Sequence, residues 1–175
     1  GRDFVVVTNE GERFQFFPKG KIKHAQAMNN LYMIDVSEPD RPTLVAEFPY
    51  PEVPEDFPYP NFNVMQLETQ GPFGPHNLHE PMSGKPWLEK RGDRVYCCYF
   101  HAGLRVYDVS DPYYIKELAY FIPPNPNKTP EESYFKGCPG PRNATTEDVI
   151  VEDRGYIIID AIDDGFYILK MKDQG

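Results

Sequence analysis

Apolar and polar positions alternate along much of this chain with a period of two. Phe4 to Thr8, Arg94 to Phe100 and Tyr156 to Asp160 are dense in Val, Ile, Tyr and Phe, side chains that fit a pleated, largely buried strand better than a helix. A second run of this kind follows each: Leu31 to Val36, Leu104 to Val109 and Phe166 to Met171. After the first two of these comes Ser-x-Pro. That sequence predicts a turn, because proline presets φ and serine can hydrogen-bond its own backbone. A third run then begins, Leu44 to Phe48 or Ile115 to Phe121. Upstream, Trp87 to Lys90 and Asp148 to Glu152 read as strands joined to the following ones by Arg91-Gly92-Asp93 and Asp153-Arg154-Gly155 turns. Ile22 to Asn29 is the best helix candidate and lacks a clear cap. The pattern predicts an all-β protein.

The runs are copies of one another. Residues 31 to 48 realign with 104 to 121 at an offset of 73 without a gap, and 7 of the 18 positions are identical, where composition alone gives about one. Both copies carry Asp-Val-Ser-x-Pro, at Asp35 to Pro39 and Asp108 to Pro112. A third, looser copy places Gly165 to Leu169 against Gly103 to Tyr107 and lacks that ending.

A unit of four antiparallel strands, a to d, is the blade of a β-propeller. The Gly-Leu-x-Val-x-Asp-Val-Ser-x-Pro strand and turn, preceded by a Val-Tyr-rich strand, resembles the LVIVD-repeat propellers and at fold level is similar to the propellers of selenium-binding proteins. Residues 94 to 122 carry the resemblance best, then 31 to 48, then 147 to 171. It implies a partial β-propeller of about three blades, residues 1–48, 86–122 and 147–175, in a single domain. Proline-rich connections, 49–86 and 122–146, join them. A β-sandwich is the competing architecture, since short strands at regular spacing suit both. Three blades cannot close a ring of the usual 4 to 8, so missing sequence or a second polypeptide is expected to complete it.

Composition narrows the function. Of the 175 residues 40% are hydrophobic and 26% charged, a globular balance. No run approaches the ~20 apolar residues of a membrane span. The 18 basic and 27 acidic side chains leave a net charge of −9 with no Lys/Arg cluster in the sequence, which disfavours nucleic acid. Three cysteines, Cys97, Cys98 and Cys138, are no disulfide framework, and a reducing, cytoplasmic setting is favoured. No hydrolase elbow, phosphate loop or dinucleotide fingerprint occurs.

The candidate chemistry is carried by histidine. Pro75-His76-Asn77-Leu78-His79-Glu80 lies in a d-to-a connection, and His101 lies in the b-to-c loop of the same blade. Propeller topology brings those loops to one face. Imidazoles and carboxylates that converge on a cavity suit Zn, Fe, Cu or Mn. The expectation is therefore a divalent transition metal held by His76, His79 and His101, with Glu80 as catalytic base or ligand partner, acting on a small organic molecule. Relatives of the selenium-binding proteins include metal-dependent thiol oxidases, and this resemblance implies such chemistry by analogy only. Against it, positions 76 and 79 of an extended segment point to opposite sides, and the histidines can instead order a proline-rich loop. His24 reads as a solvated loop residue, and Asp160, Asp163 and Asp164 as an exposed turn. Cys97 and Cys98 read as buried structural thiols. The alternative function is a non-catalytic propeller platform that binds a protein or a glycan.

Overall fold

The computed structural model describes residues 1–10, 30–57, 74–127, 132 and 144–172. His24, Cys138 and the helix candidate Ile22 to Asn29 lie outside them. The described secondary structure is all β. β1 (Phe4–Thr8), β2 (Leu31–Asp35) and β3 (Thr43–Glu47) form one antiparallel sheet, with strand order following chain order. β4 (Arg94–Cys98), β5 (Leu104–Asp108) and β6 (Lys116–Phe121) form a second, and β7 (Thr145–Val151), β8 (Tyr156–Ile162) and β9 (Gly165–Lys170) a third. Among the described residues sheets one and three hold the three strands expected of each, and sheet two holds three where four were expected. No helix among the described residues is long and apolar enough to cross a membrane.

Sheets one and two share their irregularities as well as their order. A register shift falls between Met33 and Ile34 in the first and between Val106 and Tyr107 in the second, again 73 residues apart. Downstream, Asp35 Oδ1 accepts the Ser37 N–H and Asp108 Oδ1 accepts the Ser110 N–H, both at 2.9 Å. These Asx turns close the Asp-Val-Ser-x-Pro segments. The serine hydrogen bonds hold both aspartates below the usual carboxylate range. In the third sheet Lys170 stands at this position and the turn is absent.

The missing first strand of sheet two is present in rudiment, in a place the alternation did not mark. His76 to His79 runs antiparallel to β4. His76 N–H donates to Cys98 O (2.7 Å), Cys98 N–H to Asn77 O (3.1 Å) and His79 N–H to Tyr96 O (3.1 Å), around the bridge Leu78–Cys97. Trp87 to Lys90, predicted as that strand, crosses instead to sheet three. There Leu88 bridges Glu152 and Glu89 N–H donates to Val151 O at 3.0 Å.

The core lies between the sheets. Leu31, Met33 and Phe48 of sheet one pack on Cys97, Tyr99, Tyr107, Val109 and Ile115 of sheet two. Tyr96, Cys98, Leu104 and Val106, from the other face of sheet two, pack on Val149, Val151, Ile157 and Ile159 of sheet three. Period-two alternation explains the division, since neighbouring residues of one strand face opposite sheets. The middle sheet is thus apolar in the interior on both faces, and after its first residue, Arg94, β4 reads Val-Tyr-Cys-Cys. Arg105 is the exception and is fully buried. Its Nε–H donates to Ala102 O at 2.9 Å, its Nη1 reaches Glu117 at 3.3 Å, and its guanidinium lies 4.8 Å from the Tyr120 ring centre.

Candidate functional site

Three short segments build the region the histidines occupy. The first is the loop from β4 to β5. It turns tightly, with Ala102 N–H donating to Tyr99 O (2.9 Å) and Gly103 N–H to Phe100 O (3.1 Å). Phe100 and Gly103 both have positive φ, 44° and 73°. A Cβ on Gly103 would sit 2.1 Å from Phe121 O, so only glycine fits. The turn sets His101 in a buried position, where its Nδ1 lies 3.1 Å from Ala144 O just ahead of β7.

The second segment is His76 to His79 itself. A carbonyl can only accept, so His76 Nδ1–H donates to Glu147 O at 3.0 Å, and the ring lies against Phe100 with centres 5.0 Å apart. Asn77 completes the contact, its N–H donating to Glu147 O at 3.2 Å and its side-chain amide to the Asp148 carboxylate. His79 is fixed on both nitrogens. Nδ1 accepts the Val151 N–H at 3.1 Å, so the proton sits on Nε2, which donates to Glu89 O at 3.0 Å. Glu80, next along, is exposed.

The third segment is a bulge in β7. Thr146 pairs with Ala161 and Val149 with Ile159, so Glu147 and Asp148 together face the single residue Asp160. The Asp160 Oδ1 closes the gap by accepting both amides, Glu147 N–H at 3.2 Å and Asp148 N–H at 2.6 Å. The bulge turns two acidic side chains toward the histidine segment. Glu147 is pushed above the usual carboxylate range by burial, with Asp160, Asp148 and Glu10 adding to the rise and His76 opposing it. The other imidazole nitrogen of His76 faces Glu10 Oε1 at 3.7 Å.

His76, His79 and His101 each reach β7 or the residue before it, at Glu147, Val151 and Ala144 respectively. The Nδ1 of each ring is bonded to that backbone, and in His79 the Nε2 is bonded as well, to Glu89 O. With both nitrogens bonded, His79 offers no lone pair to a metal. Among the described residues no group of three or more His, Cys, Asp or Glu side chains is arranged to hold a metal ion. The three histidines do not form a common donor set. Cys97 and Cys98 face opposite sheets and are both buried. Burial pushes both thiols well up from their ordinary value, leaving them protonated and unreactive. The Cys98 S–H reaches Asp148 O at 3.2 Å, one more tie to β7. Asp160 has a structural task that the sequence does not announce. The residues not foreseen are Asn77, Glu147, Asp148 and Glu10. Two adjacent acids inside an otherwise alternating strand, Thr145-Thr146-Glu147-Asp148-Val149, are the mark that could have revealed the bulge.

Compared with known proteins, the chain has no significant match to a family model, a curated protein or a solved structure.

Proposed function

We propose that the chain supplies three consecutive sectors of a β-propeller that acts as a non-catalytic binding platform, and that the histidine segment holds two of those sectors in register. The observation that carries this reading is His79, whose two ring nitrogens are committed to Val151 N–H and Glu89 O. His76 and His101 each direct Nδ1 to a carbonyl of the β7 segment in the same way. Three imidazoles used as clasps fit a scaffold better than a reactive centre. Exposed aromatic side chains give the platform its contact chemistry. Trp87, Tyr113, Tyr114 and Tyr120 are all exposed, and such rings offer large contact area at low entropic cost to a protein or a sugar. The shared turns and bulges of sheets one and two, and their packing in chain order, support the propeller part of the reading.

A metal-dependent enzyme acting on a small organic molecule is the second reading. It is favoured by His76, whose second nitrogen faces Glu10 beside the perturbed Glu147. Elemental analysis of the purified chain and of His76→Ala and His101→Ala separates the two. The platform reading expects no stoichiometric metal and lowered unfolding midpoints in both variants. Stoichiometric metal that disappears in both variants with little loss of folding would put the enzyme in its place. On a glycan array, Tyr114→Ser should weaken any binding shown by the parent chain while leaving its unfolding midpoint unchanged.

A further inference from the structure

Each sheet has a front face, turned toward the next sheet in chain order, and a back face turned toward the preceding one. The pairing registers assign equivalent positions. On the front of sheet two are Leu104 and Val106 of β5, paired with Cys98 and Tyr96 of β4. On the front of sheet three the same places hold Phe166 and Ile168 of β9, paired with Asp160 and Ile158 of β8. On the back of sheet two, Val95 pairs with Tyr107 and Cys97 with Arg105. On the back of sheet one, Val5 pairs with Ile34 and Val7 with Tyr32.

Exposure divides these equivalent positions. Leu104 and Val106 are 2% and 1% exposed, while Phe166 and Ile168 are 70% and 60% exposed. Cys97 is fully buried, while its equivalent Val7 is 38% exposed, with Val5 and Leu44 exposed beside it. The stack therefore ends in two apolar faces that differ from each other. One is the front half of the junction found twice inside the chain, and the other is the back half. Burying such side chains is worth roughly 25 cal/mol per Å², and contiguous apolar surface of this kind marks an interaction site.

We infer that the front face of sheet three docks on the back face of sheet one in a second copy of this chain, continuing the internal junction across two molecules. The occupant is read from the faces themselves. The surface that complements a front half is a back half, and every copy presents one. The contact is heterologous, so it yields a closed ring or an open filament. With three sheets among the described residues of each copy, two copies give six, inside the ~4 to 8 of closed propellers. Only that closure rests on the propeller reading, and the front-to-back contact does not.

The test uses the full chain at micromolar concentration, with its mass measured by light scattering and native mass spectrometry. A dimer is expected. Phe166→Lys with Ile168→Lys blocks the front, and Val5→Lys with Leu44→Lys blocks the back. All four positions are exposed, so each double variant should keep the far-ultraviolet circular dichroism of the parent and run as a monomer. Mixing the two variants should restore a dimer, because one intact front meets one intact back. A parent chain that is monomeric overturns the inference, whether the faces stay bare or are covered by other residues of the same chain. So does a dimer indifferent to either variant, or loss in one variant only with no rescue on mixing, which marks a like-to-like contact. Negative-stain images judge closure separately. Filaments would retain the front-to-back contact and count against the propeller reading instead.

Discussion

His79 is the residue whose chemistry and position are most tightly coupled. Its ring accepts one backbone amide and donates to one carbonyl, and both come from segments that belong to or lean on sheet three. His79→Ala would leave a backbone N–H and a carbonyl without these partners, at a cost of about 2 kcal/mol. Urea unfolding checks this, and an unchanged midpoint would show that the ring is not a clasp. Glu147 makes the opposite prediction. Its carboxyl is raised by burial and by its acidic neighbours, so above its folded pKa the ionised form opposes folding. Stability falls as pH rises through that window. Glu147→Gln should therefore raise the unfolding midpoint at neutral pH. The gain should shrink on acidification and vanish below the ordinary glutamate value of 4.5. A gain that persists in acid would refute the electrostatic account. The histidines stood out in the sequence, but their partners were not legible there. Hydrogen bonds to a backbone carbonyl or amide leave no trace in the identity of the partner residue.

Among the elements, the hairpin strands were legible because a half-buried strand writes its two faces into the chain. β1, β2, β4 and β5 fall within the expected runs of Val, Ile, Leu, Tyr and Phe, and β8 and β9 overlap theirs, β8 running two residues further and β9 starting one residue earlier. The inner strand of sheet two was misplaced for a physical reason. His76-Asn77-Leu78-His79 has one apolar residue, and its pairing comes from main-chain bonds to β4 and polar bonds to β7, neither of which produces alternation. Trp87 to Lys90, Trp-Leu-Glu-Lys, carries two apolar residues and pairs instead with the end of β7 and the residue after it. At this scale the loop between β4 and β5 is the most sensitive feature. Gly103→Ala meets both a disfavoured φ of 73° and the Phe121 carbonyl, so thermal unfolding should show a loss of about 2 kcal/mol or more. Leu104→Ala, one residue further on, should cost about 3 kcal/mol through the cavity left between sheets two and three. If both variants unfold like the parent, the loop and the junction are not as described.

At the scale of the whole molecule, the described residues form a stack of three sheets in chain order, with one apolar layer between each neighbouring pair. The duplication at 73 residues predicted like units side by side, and the middle sheet, apolar on both faces, shows why like units stack. The sequence could not show what joins sheets two and three beyond apolar packing. That join is a polar seam in which His76, Asn77, His79, His101 and Cys98 all reach β7 or its flanks. The most direct test of this seam is the tautomer of His79, read from two-bond nitrogen–proton correlations of the ¹⁵N-labelled protein at neutral pH. The account predicts a neutral ring with its proton on Nε2, an unprotonated Nδ1, and signals unmoved by added Zn²⁺. A proton on Nδ1, or a ring whose nitrogens shift on addition of zinc, would contradict it.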